Sequence, residues 1–209
     1  MGGRSPRQRL IALAGLTALV GVAVLLLWAG GVLGNPSGGE GIEDVALLDT
    51  PPAETGDFDV GPEKGKLAPD FEISDFDGTR YRLSDFRGKL VFVNFWATWC
   101  VPCQAELPDI AELQDRHPDD VVVLLVNRKE SASQASDYLD KLPRFDGSKG
   151  VEFTVEGVDP DDTLFDHYRA LAMPSSFFVG PDGVITNVAY GPVSLEQMET
   201  VVSEALSGA

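Results

Sequence analysis

A chain of 209 residues that is 44% hydrophobic and 23% charged can pack one domain with additional segments, and it is too apolar for wholesale disorder. Its net charge is −17, and Arg4, Arg7 and Arg9 all precede the first acid, Glu40, so the body is more acidic than the total suggests. Such a body repels phosphate backbones, which argues against a nucleic-acid partner. Two cysteines are too few for a disulfide-stapled mini-protein or a four-cysteine zinc site.

Residues 1–9 form a short basic segment, and no ionisable side chain occurs from Leu10 to Leu33. At 1.5 Å per residue that run spans roughly 36 Å as a helix, against about 30 Å of bilayer hydrocarbon. A transmembrane anchor is predicted over 10–33, with 1–9 cytoplasmic and the acidic body exported by the positive-inside rule. A cleaved signal peptide ending near Ala29-Gly30-Gly31 competes with it. Signal-peptide apolar regions run to about 7–15 residues, however, and Leu10–Leu27 is already longer. Residues 34–66 are rich in Gly, Pro, Asp and Glu, with Val45-Ala46-Leu47-Leu48 as their one apolar run. They read as a flexible acidic linker with a mean reach of roughly 30 Å.

The predicted domain occupies 67–209. Phe71-Glu72-Ile73 and Tyr81-Arg82-Leu83 alternate around Asp77-Gly78, a hairpin signal. Leu90–Trp96 is nearly continuous apolar sequence, suited to a strand buried on both faces. Val101–Arg116 has helical spacing in Leu107, Ile110 and Leu113, with Pro108 expected to bend it. Val121–Val126 is a second buried strand, and Ser131 with Gln134 opens a helix through about Leu142. Phe153-Thr154-Val155 is expected as a short strand and Asp162–Leu171 as a short helix. Ser175–Val179 and Val184–Ala189 read as strands joined through Asp182-Gly183. Ser194 and Gln197 cap a last helix whose apolar face carries Leu195, Met198, Val202 and Leu206. The pattern is an α/β arrangement, a mixed central sheet with flanking helices.

The two cysteines sit together as Cys100-Val101-Pro102-Cys103, after a buried strand and at the start of a helix. A thiolate there meets unpaired backbone N–H groups and the positive end of the helix dipole, which lowers the pKa of the attacking sulfur. Cys103 is one turn along the same face, within reach of a disulfide. A structural cross-link would normally tie distant segments, and a three-residue loop constrains the unfolded chain little. Haem attachment needs a histidine where Gln104 stands. No metal site is expected, since His117 and His167 are the only histidines. Redox chemistry is the reading that the motif supports in this context.

The run Phe95-Trp96-Ala97-Thr98-Trp99-Cys100-Val101-Pro102-Cys103-Gln104-Ala105-Glu106-Leu107-Pro108 resembles the TlpA/ResA-like membrane-anchored thioredoxins. The likeness continues in Ala68-Pro69-Asp70-Phe71, Gly88-Lys89, Val126-Asn127 and Met173-Pro174-Ser175-Ser176-Phe177-Phe178. It implies a thioredoxin fold with an N-terminal hairpin and a central αβ insertion, assigned to about Asn127–Val158. It also implies extracytoplasmic thiol–disulfide exchange through a redox-active Cys100–Cys103 disulfide with no other cofactor. Clients would be disulfides of exported proteins such as apocytochrome c, and electrons would come from a CcdA- or DsbD-like membrane donor. Pro174 matches the family's cis-proline, which would leave the Met173 backbone to bind an extended client. Trp99 is then either an exposed aromatic beside the nucleophile or a packing residue.

Two other activities use the same fold or the same sulfurs. A peroxidase of this fold resembles Pro-x-x-x-Thr-x-x-Cys, and Val93 and Ala97 stand where the proline and threonine would be. A copper metallochaperone could use both thiolates, but this motif lacks the wider cysteine spacing and nearby histidine of copper-delivering relatives. One departure concerns the proton. Ordinary cytosolic thioredoxins carry a buried aspartate six residues before the first cysteine, and here that position is Asn94. Glu106, one turn beyond Cys103 and about 60° around the helix from it, is the candidate acid–base group. It matches the active-site glutamate of the ResA-like branch.

Overall fold

The computed structural model describes residues 44–53 and 58–207. The predicted anchor over 10–33 lies outside them, and no helix among the described residues is long and apolar enough to cross a membrane. Glu43–Ala209 forms one compact unit.

The unbroken apolar run Leu90–Trp96 becomes β4, buried along its whole length. Three short strands precede it: β1 (Val45–Leu47), β2 (Phe71–Ser74) and β3 (Arg80–Arg82). After it come α1 (Val101–Arg116), β5 (Val121–Arg128), α2 (Ala132–Leu139), β6 (Val155–Asp159) and α3 (Thr163–His167). The chain ends with β7 (Ser175–Val179), β8 (Ile185–Tyr190) and α4 (Leu195–Ser207). The main sheet has the order β6-β5-β4-β7-β8. Its β4–β5 and β5–β6 pairs are parallel, while β4–β7 and β7–β8 are antiparallel. This mixed sheet with helices on both faces is a thioredoxin fold.

Because strand side chains alternate, β4 divides its residues between two cores. Leu90, Phe92 and Trp96 join Val121, Val123 and Leu125 of β5 beneath α1 and α4. Val91, Val93 and Phe95 join Val122, Leu124 and Val126 on the opposite face, covered by Phe71, Ile73, Leu164, Phe165 and Tyr168. The αβ insertion places β6 at the sheet edge, where Asp75 of the hairpin turn bridges Gly157. The Asp77-Gly78 turn forms as expected, with Gly78 at φ 84° and the Asp75 carboxylate accepting the N–H groups of Asp77 and Thr79.

The linker expectation for 34–66 is corrected where that stretch is described. Val45–Leu47 pairs antiparallel with Phe71–Ile73, Leu48 N–H donates to the Asp70 carbonyl, and Val60 bridges Leu67. The hairpin alone leaves one edge of β2 unpaired, and the short apolar run satisfies that edge while burying Val45. The domain thus begins near Asp44 rather than Leu67. The strand expected at 153–155 lies at Val155–Asp159, aligned by its parallel ladder to β5. The helix expected at 162–171 closes at His167, and Arg169 turns left-handed at φ 48°. The helix after Ser131 ends at Leu139, four residues before Pro143. Helix α1 continues through Pro108.

Candidate active site

The site lies at the C-terminal edge of β4, where residues 97–99 turn into α1. Cys100 is the N-cap residue of that helix, and its Sγ accepts a hydrogen bond from Cys103 N–H at 3.2 Å. The two sulfurs are joined in a disulfide, with Cα atoms 5.2 Å apart. Cys100 keeps 5% of its surface and Cys103 none. Of the two, only Cys100 reaches the surface.

Glu106 occupies the inward stripe of α1 that Cys103, Leu107 and Ile110 also form, which is why a carboxylate is buried here. Its Oε1 accepts from Asn94 Nδ2 at 2.6 Å and its Oε2 from Val193 N–H at 2.8 Å. Burial pushes its pKa up to about 7; the bonds from Val193 and Asn94 oppose the rise, and the Asp109 charge adds to it. A carboxyl group poised near neutrality next to a dithiol can take and return a proton.

The Met173–Pro174 peptide is cis. Ser175 opens β7 opposite Phe95, so Pro174 stands beside the end of β4 from which Cys100 emerges. Met173 is half-buried, and Gly191 N–H donates to the Pro174 carbonyl at 2.9 Å. Trp99 is 56% exposed and Val101 71%, leaving apolar surface on both sides of Cys100. Trp99 is therefore not a core residue. His117 is paired with Glu199 at 2.7 Å and His167 lies edgewise to Tyr168, so neither joins the cysteines. Among the described residues no three His, Cys, Asp or Glu side chains group as a metal site.

One neighbour of the site escaped the sequence reading. Glu130 is buried at the end of β5, and its carboxylate accepts from Thr98 N–H at 2.7 Å and from Asn127 Nδ2 at 2.8 Å. The Thr98 hydroxyl and the Gln134 side-chain amide donate to it as well. The available signal was position: Asn127 and Glu130 leave the C-terminal end of a parallel strand next to β4, the edge where α/β sheets gather their sites.

A model of the AhpC/TSA family matches residues 64–188, more than half of the chain. The chain belongs to that family. This AhpC/TSA member is 31% identical to the thioredoxin-like protein YneN of Bacillus subtilis over 144 residues, 68% of this chain and 79% of that protein. It is 32% identical to the thiol-disulfide oxidoreductase ResA of Geobacillus kaustophilus over 136 residues, 65% of this chain and 74% of that one. A crystal structure assigned to the thiol:disulfide interchange protein DsbE of Chlorobium tepidum matches with a TM-score of 0.60 at 28% identity, covering 69% of this chain and 98% of the other. With a disulfide at the mouth of α1, the AhpC/TSA member described here is a thiol–disulfide oxidoreductase of the ResA/DsbE type.

Proposed function

We propose that this oxidoreductase works as a reductase of disulfides in exported proteins, held to the cytoplasmic membrane by residues 10–33 with its domain outside. The observation that carries the direction of attack is the asymmetry of the pair. Cys100 reaches the surface at a helix N-terminus, whereas Cys103 is sealed one turn before a buried carboxyl group. In the reduced enzyme the Cys100 thiolate attacks one sulfur of the client disulfide. That bond breaks, and the departing client sulfur takes a proton from solvent. Cys103 then gives its proton to Glu106 and attacks Cys100 Sγ, releasing the second client sulfur. Client and enzyme have exchanged two electrons, and the Cys100–Cys103 disulfide remains.

Trp99, Met173 and Pro174 supply the client contact, with the Met173 backbone pairing an extended segment. Apocytochrome c, which presents two cysteines before haem attachment, is a client of suitable chemistry. Re-reduction requires a dithiol donor in the membrane, of the CcdA or DsbD kind, because exported proteins lack a soluble reducing pool. The redox-active disulfide is the only cofactor invoked.

Cys103→Ala should accumulate mixed disulfides with clients while Cys100→Ala should not; faster alkylation of Cys103 in the reduced protein would reverse the assignment. A reduction potential near −270 mV fits a reductase, and one near −120 mV would make the enzyme an oxidant. An alkaline phosphatase fusion after Lys66 should be active on cells. A soluble mature chain starting near Gly34 would exclude the anchor.

A further inference from the structure

Asn94 Oδ1 is buried without a partner, as are Trp96 Nε1, Asn127 Oδ1 and Asp159 Oδ1 among the described residues, and of the four it alone belongs to a side chain bonded to Glu106. Asn94 is entirely buried, and its Nδ2 donates both to Glu106 Oε1 at 2.6 Å and to Ser176 Oγ at 3.0 Å. The ladder explains the grouping: Asn94 and Ser176 are direct cross-strand partners of β4 and β7. They lie on the face where Phe92 and Phe178 meet α1.

The donors around Glu106 suit one protonation state only. A carboxylate accepts at both oxygens, and here each faces an N–H: Asn94 Nδ2 at Oε1, Val193 N–H at Oε2. A neutral carboxyl group must also donate its O–H, and neither neighbour accepts in this arrangement. The unpartnered acceptor is at the other end of the same amide. A half-turn about the Asn94 Cβ–Cγ bond exchanges Nδ2 and Oδ1. It would then present oxygen to the Glu106 O–H and to the Ser176 hydroxyl together. Asp109, on the next turn of α1, is the charged group acting on Glu106, and Cys103 lies one turn before it. Asn94 and Ser176 from the sheet and the Val193 N–H from the segment before α4 do not titrate.

We propose that Asn94 is a positioning residue that switches with the proton on Glu106, turning its amide N–H to the carboxylate and its amide oxygen to the acid. Each half-turn accompanies one proton passage, so a residue that cannot ionise governs how readily its neighbour does. The proposal rests on the proton-accepting role given to Glu106 above.

The chain has four asparagines, at positions 35, 94, 127 and 187, so selective 15N labelling of asparagine in the full-length oxidised protein isolates the Asn94 side-chain amide. Its signals should move between pH 5 and 9 with the same midpoint as the 13C carboxyl signal of Glu106, and Glu106→Gln should abolish the movement. Asn94→Leu removes a bond from both forms of Glu106 and should raise its midpoint by up to about one pH unit, because the bond lost from the carboxylate is charge-assisted and the stronger of the two. The wild-type titration decides the matter even where that variant does not fold. A flat Asn94 signal beside a titrating Glu106 and a slow Glu106→Gln enzyme overturns the switch and leaves the proton role standing. A Glu106→Gln enzyme exchanging at the wild-type rate across pH 5 to 9 overturns the proton role, and the switch with it.

Discussion

Thr98 has every polar group engaged by a side chain. Its N–H and hydroxyl go to Glu130, and its carbonyl accepts from Gln104 on the first turn of α1. The turn presenting Trp99 and Cys100 is therefore held from β5 and from the helix at once, closed by the bond from Cys100 N–H to the Ala97 carbonyl. Removing the carboxylate strands the part-buried N–H and hydroxyl of Thr98 and the buried amide of Asn127, the last alone costing about 1–3 kcal/mol. Glu130→Ala should lower the unfolding free energy by about 3 kcal/mol in urea and slow client reduction, with Glu130→Gln intermediate. Unfolding within error of wild type would show that the turn holds itself. None of this was readable along the chain, because Thr98 and Glu130 are brought together only by the register of β4 and β5. Glu106 was legible because it shares a helix with the cysteines at a countable spacing. Asn94 was legible only as the absence of a base; its contact with Glu106 needed the sheet.

At the scale of elements, a long apolar run or a motif sufficed for β4, α1, β7 and β8. Strand β1 was missed because three residues amid acidic and glycine-rich sequence carry little pattern, and their partner Phe71–Ile73 lies far along the chain. Val45→Ala tests the packing of that strand. It should cost about 1 kcal/mol if Val45 is core, and nothing if the segment is free in solution. Gly157 is a sharper test of how hairpin and insertion meet. A Cβ there would lie 2.5 Å from the Ile73 side chain and 2.8 Å from the Ser74 carbonyl oxygen. The isoleucine can turn aside, but the backbone oxygen cannot. Gly157→Val should therefore destabilise by about 1–3 kcal/mol and increase hydrogen exchange in β2 and the edge of β6. Unchanged protection in β2 would mean the two segments are not tightly joined.

For the whole molecule, net charge and buried acids together set the response to pH. Glu106 and Glu156 both have pKa values raised to about 7, chiefly by burial, from an ordinary 4.5. Glu156 lines a cleft of about 420 Å³ with Asp75, Asp77, Asp140 and Glu152, and the Glu152, Asp140 and Asp75 charges add to its rise. A raised carboxyl pKa favours folding while the group is neutral. Its contribution is full below about 4.5 and disappears as pH rises through about 7. Asp162, held down by Arg128, and Glu199, held down by His117, act oppositely and lose their contribution as pH falls through the lowered values. The oxidised protein should be most stable near pH 5 and melt progressively lower toward pH 8. Glu106→Gln with Glu156→Gln should flatten that decline; a melting temperature rising from pH 5 to 8 would contradict the assignment.

Met173 packs against both hydrophobic clusters, one on each side of the sheet, at the point where the chain enters β7. In the role proposed for it, the same side chain borders the incoming client. A replacement that suits another client must therefore also fill the space between the two clusters. Partner preference and heat tolerance would then drift together among descendants of this sequence, and lineages that change one should carry repairs in the other.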